Sequence, residues 1–185
     1  MLYSPKEFIL RDGTKILLKS PEVSDARMLL DNIIKIASST NYLLSEPEDF
    51  NKYLEDITKE EAFISSFNNN KHYLICVYID GVIKGTISLI FNQHKKDKHR
   101  ATIGIAIQKE YQDKGIGSIL FDEVIDIAKN TEGVDQLELD VVSTNERAKH
   151  LYTKKGFVKT GTIPRQLKLE DGTYLDGDMM VLYLK

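Results

Sequence analysis

The chain has 185 residues, of which 42% are hydrophobic and 29% charged, a balance typical of one globular domain. Its net charge of −3 gives no general electrostatic attraction to nucleic acid or to an anionic membrane. Its single cysteine, Cys76, excludes an internal disulfide and any cysteine-based zinc cluster. We therefore expect one domain over residues 1–185, without a metal site.

The first half of the chain predicts two β-hairpins separated by helical segments. Strands are expected at residues 8–10, 15–19, 72–79 and 82–91, and helices at 22–38, 47–54 and 58–67. Asp12-Gly13 and Asp80-Gly81 are hairpin signals, and three asparagines at residues 68–70 are expected to end the third helix. Cys76 lies in an apolar run, which favours a buried and unreactive thiol.

The second half predicts a strand, a glycine-rich turn and a helix over residues 101–130, then a strand at 136–142. A shorter helix at 145–155 is expected to end at Gly156, before a long hairpin of residues 157–169 and 173–184. Helices spaced through strands in this order predict an α/β fold with a mixed sheet and helices on both faces. No repeat or linker divides the chain.

The turn Gly115-Ile116-Gly117 has the composition of a phosphate-binding site. The first amides of a helix lack partners within the helix and favour an anion, and glycines let it approach the backbone. The turn does not fit the P-loop, because Ser118-Ile119 follows the second glycine, nor the dinucleotide motif, because Leu120 replaces the third glycine. On its own it predicts either a phosphate site or a close-packed turn.

The second informative segment is the helix at residues 145–155. Asn145 follows a strand and can cap this helix, which by itself is only a structural role. Tyr152 lies about two turns further on, on nearly the same helix face. A phenol can donate a proton to a leaving thiolate, although packing alone would explain a tyrosine equally well.

Together the two segments resemble the GNAT acetyltransferase superfamily. QDKGIG at residues 112–117 is similar to the family's Q/R-x-x-G-x-G/A signature, and NERAKHLYTKKGF at residues 145–157 is similar to its following motif. The preceding Ile105-Ala106-Ile107 resembles the family's fourth strand. The resemblance implies the GNAT acyl-CoA N-acyltransferase fold, an α/β fold with a mixed central sheet of about seven strands and splayed fourth and fifth strands.

The resemblance also implies acetyl-CoA as cosubstrate, with no metal. Its pantetheine arm is expected to pair with the backbone of Ile105 and Ile107, where an amide would also polarise the thioester carbonyl. Asn145 is expected to hydrogen-bond the arm, and Tyr152 to act as general acid beside the coenzyme sulfur. The pyrophosphate is expected on Gln112, Asp113, Lys114, Gly115, Ile116 and Gly117, reaching Ser118.

The general base is less defined, because members of the family differ in this residue. Glu46 is our candidate, since its loop lies where acceptors commonly enter the fold; a solvated loop acid is the alternative. Asp176 and Asp178 are weaker candidates that could serve only to shape a strand entry or bulge. His72 and His99 are expected to be exposed or strand-edge residues rather than bases.

The predicted function is transfer of the acetyl group from acetyl-CoA to a primary amine of a small molecule, such as an amino acid or a polyamine. The amine attacks the thioester directly, through a tetrahedral intermediate. The alternatives are a protein N-terminal or lysine acetyltransferase and, from another class, a non-catalytic acyl-CoA-binding module. We expect a cytoplasmic protein with no nucleic-acid or membrane partner. By analogy of fold, the final hairpin could add strands across a homodimer.

Overall fold

A computed structural model describes residues 1–69 and 72–185, in which five α-helices and eight β-strands are found. The helices are α1 (Ala26–Ala37), α2 (Asn51–Glu55), α3 (Thr58–Asn69), α4 (Ile116–Lys129) and α5 (Glu146–Lys154). The strands are β1 (Lys6–Ile9), β2 (Lys15–Lys19), β3 (Tyr73–Ile79), β4 (Val82–Phe91), β5 (Arg100–Ile107), β6 (Gln136–Val142), β7 (Val158–Lys168) and β8 (Tyr174–Tyr183).

The predicted helices and strands are therefore present, with eight strands rather than about seven. The first long helix begins four residues later than predicted, at Ala26, because Glu22 and Asp25 form a reciprocal capping box around a 3-10 turn. Helix α3 reaches Asn69, and the remaining part of its predicted end, Asn70, lies outside the described residues.

The helices and strands fall into two compact units. The first comprises residues 1–90 and 104–117, and the second residues 91–103 and 118–185. Strand β5 contributes residues to both. In the order of neighbouring strands, the first unit holds β1-β2-β3-β4-β5 and the second β5-β6-β8-β7. The single domain over residues 1–185 stays a prediction.

In the first unit, β1 to β4 pair antiparallel along the chain. The turn between β3 and β4 is formed by Asp80, with a φ of 50°, and Gly81, with a φ of 74°. Positive φ at both central residues gives a hairpin turn whose twist matches the twist of the paired strands. The hairpin predicted from Asp80-Gly81 is confirmed.

The core of the first unit lies where α1 and α3 pack against β3 and β4. It is formed by Ala26, Leu29, Ile64, Phe67, Leu74, Cys76, Tyr78 and Ile83. Burial, with a contribution from the nearby Asp25 carboxylate, raises the pKa of the Cys76 thiol well above its ordinary value. The thiolate is therefore disfavoured. The predicted burial of Cys76 is confirmed, and its lack of reactivity stays a prediction.

Glu60 is an acidic residue whose side chain is buried on α3, with a relative exposure of 7%. The sequence predicts a helix-start residue here, which gives no reason for burial. Burial penalises the ionised form and raises the pKa of Glu60 to about 7. The folded chain consequently holds this proton more tightly than the unfolded chain does.

Glu60→Gln is expected to stabilise the protein at pH 8 and to change its stability little at pH 4.5. The pKa of this carboxyl is higher in the folded chain, at about 7, than in the unfolded chain, near 4.5. The free energy of unfolding therefore falls as the pH rises through this range. At about 1.4 kcal/mol per pKa unit the upper bound is ~3 kcal/mol, and residual solvation reduces the expected gain to about 1–2 kcal/mol. Denaturant unfolding at both pH values measures this gain in the free energy of unfolding, with Glu61→Gln as the control. Equal gains at pH 4.5 and pH 8 would show that ionisation of Glu60 is not the cause.

In the second unit, β6 pairs parallel with β5 and antiparallel with β8. This parallel pairing, beside the antiparallel ones, makes the sheet mixed, as predicted. Strands β7 and β8 form the predicted long hairpin, with register shifts between Lys159 and Gly161 and between Ile163 and Leu167. Across β5 and β6, the Arg100 guanidinium makes a two-pronged ion pair with the Glu138 carboxylate.

Helix α5 ends at the predicted glycine. Gly156 has a φ of 92°, and a Cβ there would lie 3.2 Å from the side chain of Leu182. Both the backbone conformation and the close approach therefore favour glycine. Over residues 1–69 and 72–185, none of the helices combines the length and apolar character needed to cross a bilayer.

Candidate active site

The segment that joins β5 to α4 is the predicted phosphate-binding turn. After β5, a 3-10 turn covers Lys109–Tyr111, and α4 begins at Ile116. Asp113 has a φ of 60° and Gly115 a φ of 91°, so both lie in the left-handed region. A Cβ added at Gly115 would meet no heavy atom within 4 Å. The turn thus borders open space immediately before the first free amides of a helix, which fits a phosphate group.

Side-chain amides fix this turn to the first unit. Gln112 donates from Nε2 to the carbonyl oxygen of Ile107 at 2.8 Å. Gln108, the residue after β5, is buried and donates from Nε2 to Asn32 Oδ1 on α1, also at 2.8 Å. Its backbone amide donates to the carbonyl oxygen of Lys84 at 3.0 Å. The start of the turn is therefore held by α1 and β4.

Two lysine ammonium groups lie beside the same turn. Lys84 Nζ and Lys114 Nζ lie 5.4 Å and 5.8 Å from the centre of the Tyr111 ring. Lys114 also pairs with the Asp12 carboxylate at 3.3 Å, which ties the turn to the β1–β2 hairpin. The two lysines add positive charge beside a backbone that already favours an anion.

The end of β5 is less covered than its beginning. Ala101 and Ile103 are buried, whereas Ile105 and Ile107 are half-buried. In the described part of the chain, the registered pairs between β5 and β6 run only from Arg100 to Thr102 on β5. Beyond Thr102, the backbone of β5 has no paired residue on the β6 side in this register. An extended ligand arm needs such an unpaired strand edge for strand addition.

Asn145 is the N-cap of α5. Its Oδ1 accepts a hydrogen bond from the backbone amide of Ala148 at 3.2 Å. The structural role considered from the sequence is therefore confirmed, and contact with a cofactor arm stays a prediction. Because Oδ1 serves the cap, the amide nitrogen is the atom that would donate to such an arm.

Tyr152 is buried among aromatic rings in the second unit. Its ring centre lies 5.2 Å from that of Phe121 on α4 and 6.3 Å from that of Phe157. Burial raises the pKa of Tyr152 to about 12, although the nearby Arg147 lowers it in part. At neutral pH the phenol is protonated, so it can act as a proton donor and not as a base.

The remaining predicted cofactor residues lie in and around the turn. Asp113, Lys114 and Gly115 are exposed, whereas Gln112, Gly117 and Ser118 are half-buried. Ile116, the first residue of α4, is buried in the core. The predicted residues therefore form two groups, one along the end of β5 and the turn, and the other on α5.

Glu46, the candidate base, also has a local structural role. It precedes the 3-10 turn Pro47–Phe50 and forms a capping box with Asp49, whose carboxylate accepts from the Glu46 amide at 2.9 Å. The sequence reasoning did not identify this cap. The assignment of Glu46 as base stays a prediction.

The acids of the final hairpin are occupied by structural contacts. Asp176 Oδ1 accepts from the backbone amide of Arg165 at 2.7 Å. Hydrogen bonds, first from Lys159 and then from Ser143, lower the pKa of Asp178 to about 2. A carboxylate with so low a pKa is a weak base, which disfavours Asp178 in that role.

A bulge or strand entry at Asp176 and Asp178 on β8 was considered from the sequence. A register shift lies opposite Asp176, between Ile163 and Leu167 of β7. Arg165 has a φ of 53°, an uncommon conformation for a non-glycine residue, and its guanidinium stacks 5.0 Å from the centre of the Tyr174 ring. A Cβ on Gly177 would overlap the side chain of Gln166. Gly177 was the available signal, since glycine in a strand often marks a bulge or a close approach.

Comparisons with known proteins agree with this architecture. A GNAT-family acetyltransferase from Streptococcus pneumoniae is 25% identical, with a TM-score of 0.81 over 91% of this chain and 99% of that one. The structure of yncA, a putative acetyltransferase from Salmonella typhimurium with acetyl-CoA, is 18% identical, with a TM-score of 0.77 over 92% of this chain and 94% of that one. The fold is thus that of the GNAT acyltransferases.

Sequence comparison leads to the same family. The L-amino acid N-acetyltransferase AaaT of Escherichia coli (strain K12) is 32% identical over 102 residues, which are 55% of this chain and 62% of that protein. The match thus spans less than two thirds of this curated relative. The model of the acetyltransferase (GNAT) family matches residues 27–157. The chain belongs to this family.

Proposed function

We propose that the chain is an acetyl-CoA-dependent N-acetyltransferase that acts on the α-amine of an amino acid or of a similar small molecule. The observation that carries the proposal is the family match over residues 27–157, which includes both the turn and α5. The 32% identical relative named as an L-amino acid N-acetyltransferase supports the choice of acceptor. A mildly acidic chain, with a net charge of −3, also suits a cationic amine.

In this proposal each group of residues has a distinct task. Acetyl-CoA supplies an acetyl group already activated as a thioester. The amides at the start of α4 hold the pyrophosphate, and the backbone of Ile105 and Ile107 orients the arm for attack by the amine. Tyr152 keeps its proton at neutral pH and provides it to the sulfur that leaves.

A thiol-release assay over matched amines tests the proposal. Each set contains a free amino acid, the corresponding amine without the carboxylate, and a peptide that begins with the same residue; a polyamine completes the panel. Turnover of small-molecule amines supports the proposal. Turnover of peptides alone would assign a protein acetyltransferase, and acetyl-CoA binding by calorimetry without turnover of any amine would assign a binding module.

Glu46→Gln is expected to lower kcat/KM by about 100-fold and to shift the acid limb of its pH profile. A general base takes the proton from the amine, so its removal should slow the attack on the thioester and change how the rate depends on pH. The measurement is the thiol-release rate from pH 5 to 9 with the best acceptor of the panel.

The exposed neighbour Glu48→Gln is the matched control, because it removes a charge from the same 3-10 turn. It should leave the profile in place. If Glu46→Gln also leaves the profile in place, Glu46 serves only as a helix cap.

A further inference from the structure

Asp178 is a carboxylate of the second unit that solvent hardly reaches. It lies on β8 with a relative exposure of 1%, opposite Val141 on β6 and Thr162 on β7. A carboxylate is rarely buried unless it is paired, because the ionised form loses its hydration. The groups that contact Asp178 must therefore stabilise its negative charge.

Four side chains from three segments converge on this carboxylate. Oδ1 accepts from Lys159 Nζ at 2.7 Å, from Ser143 Oγ at 2.7 Å and from Thr162 Oγ1 at 3.0 Å. Oδ2 lies 3.7 Å from Lys149 Nζ on α5. The group thus joins β7, β8 and α5 to the connection between β6 and α5.

Ser143 is the residue that this arrangement fixes most completely. Its amide donates to the carbonyl oxygen of Asp176 at 2.8 Å, and its hydroxyl donates to Asp178. Its carbonyl oxygen accepts from Lys149 Nζ at 2.8 Å. A residue held at amide, hydroxyl and carbonyl has little freedom, and it lies two positions before Asn145, the cap of α5.

We infer that Asp178 is a positioning residue for acetyl transfer, which holds Ser143 and Lys149 and thereby sets the start of α5. Asn145 and Tyr152 project from this helix, about 10 Å apart along its axis. A tilt of the first turn moves both, and a misplacement of about 1 Å at a reacting group is costly in rate. The inference rests on the proposed acetyltransferase function.

The charge is required as well as the shape. Lys149 and Lys159 both pair with the carboxylate, and an uncharged residue would leave two ammonium groups without it. Because Asp178 stays ionised over the whole working pH range, its loss should change the rate without moving the pH profile. That behaviour separates a positioning residue from a general base.

The test is the steady-state kinetics of Asp178→Asn, which keeps the size of the side chain and removes its charge. We expect kcat to fall on the order of 10-fold, with the pH profile unchanged in position. Ser143→Ala removes the hydroxyl contact by itself and should lower kcat in the same direction. The double variant should lose less than the product of the two single losses, because both act through one contact.

Lys159→Gln is the matched control. It contacts the same carboxylate from β7, its side chain is half-exposed, and this ion pair does not involve Ser143 or α5. Its kcat should stay within about twofold of the wild-type value, because the contacts of Asp178 with Ser143 and Lys149 remain. If Lys159→Gln and Asp178→Asn lose kcat equally, Asp178 only stabilises the fold in general, and the inference is overturned.

The remaining outcomes are also decisive. If folded Asp178→Asn, checked by circular dichroism, keeps the wild-type kcat, the inference is wrong and the proposed function stands. If Asp178→Asn does not fold, Ser143→Ala decides, and an unchanged kcat there overturns the inference. If the wild-type protein transfers no acetyl group to any amine, both the proposed function and this inference are wrong.

Discussion

Replacing Tyr152 with phenylalanine is expected to lower kcat by about 100-fold while the affinity for acetyl-CoA stays nearly unchanged. The substitution removes one oxygen and keeps the ring, so the contacts with Phe121 and Phe157 remain. A pKa of about 12 keeps the phenol protonated at neutral pH. The proposed acceptor of its proton is the sulfur that leaves, so the loss should appear in the chemical step.

The measurement is the thiol-release rate at saturating amine, together with calorimetric titration of acetyl-CoA. Tyr183→Phe is the matched control, because this tyrosine is exposed at the end of β8. We also expect no alkaline limb from Tyr152 below about pH 10 in the wild-type profile. An unchanged kcat in Tyr152→Phe would remove the phenol from the mechanism and leave it a packing residue.

The second large effect is expected at Gly117, where valine should weaken acetyl-CoA binding at least about tenfold, or ~1.4 kcal/mol. Gly117 is the second residue of α4, among the amides proposed to hold the pyrophosphate. A branched side chain in this first turn would hold the phosphate away from the backbone. Gly117, unlike Gly115, does not have a positive φ, so its replacement adds bulk without left-handed strain.

Calorimetry with acetyl-CoA measures this effect directly. Lys129→Val places the same side chain in the last turn of the same helix, at an exposed position, and controls for the presence of an added valine in α4. Normal affinity in Gly117→Val would contradict the proposed phosphate site. Equal weakening in both variants would attribute the effect to the stability of α4 and not to the ligand.

The parts of the fold that the sequence predicts are those set by local backbone chemistry. Asp80-Gly81, Gly156 and the Asn145 cap were each predicted from residues within a few positions, and each is found. The turn before α4 was predicted in the same way from Gly115. In these cases the conformation depends on which φ a residue tolerates or which amide it can cap, and both are local properties.

What the sequence did not predict depends on long-range contacts. Asp178 draws its partners from positions 143, 149, 159 and 162, and no periodicity in the chain marks these as neighbours. Glu60 lies near the start of a predicted helix, which gave no sign that its side chain is buried. Burial and charge pairing depend on how distant segments pack against each other. The helix and strand propensities of single residues carry no information about that packing.

The burial of Cys76 has a practical consequence. It is the single cysteine of the chain, and packing around β3 withdraws its sulfur from solvent and holds it as the thiol. A chromogenic disulfide reagent that counts released coenzyme therefore meets no competing group on the folded protein. Any cysteine introduced at the surface would likewise be the one site that accepts a fluorophore or spin label, so probe experiments can begin from the wild-type background.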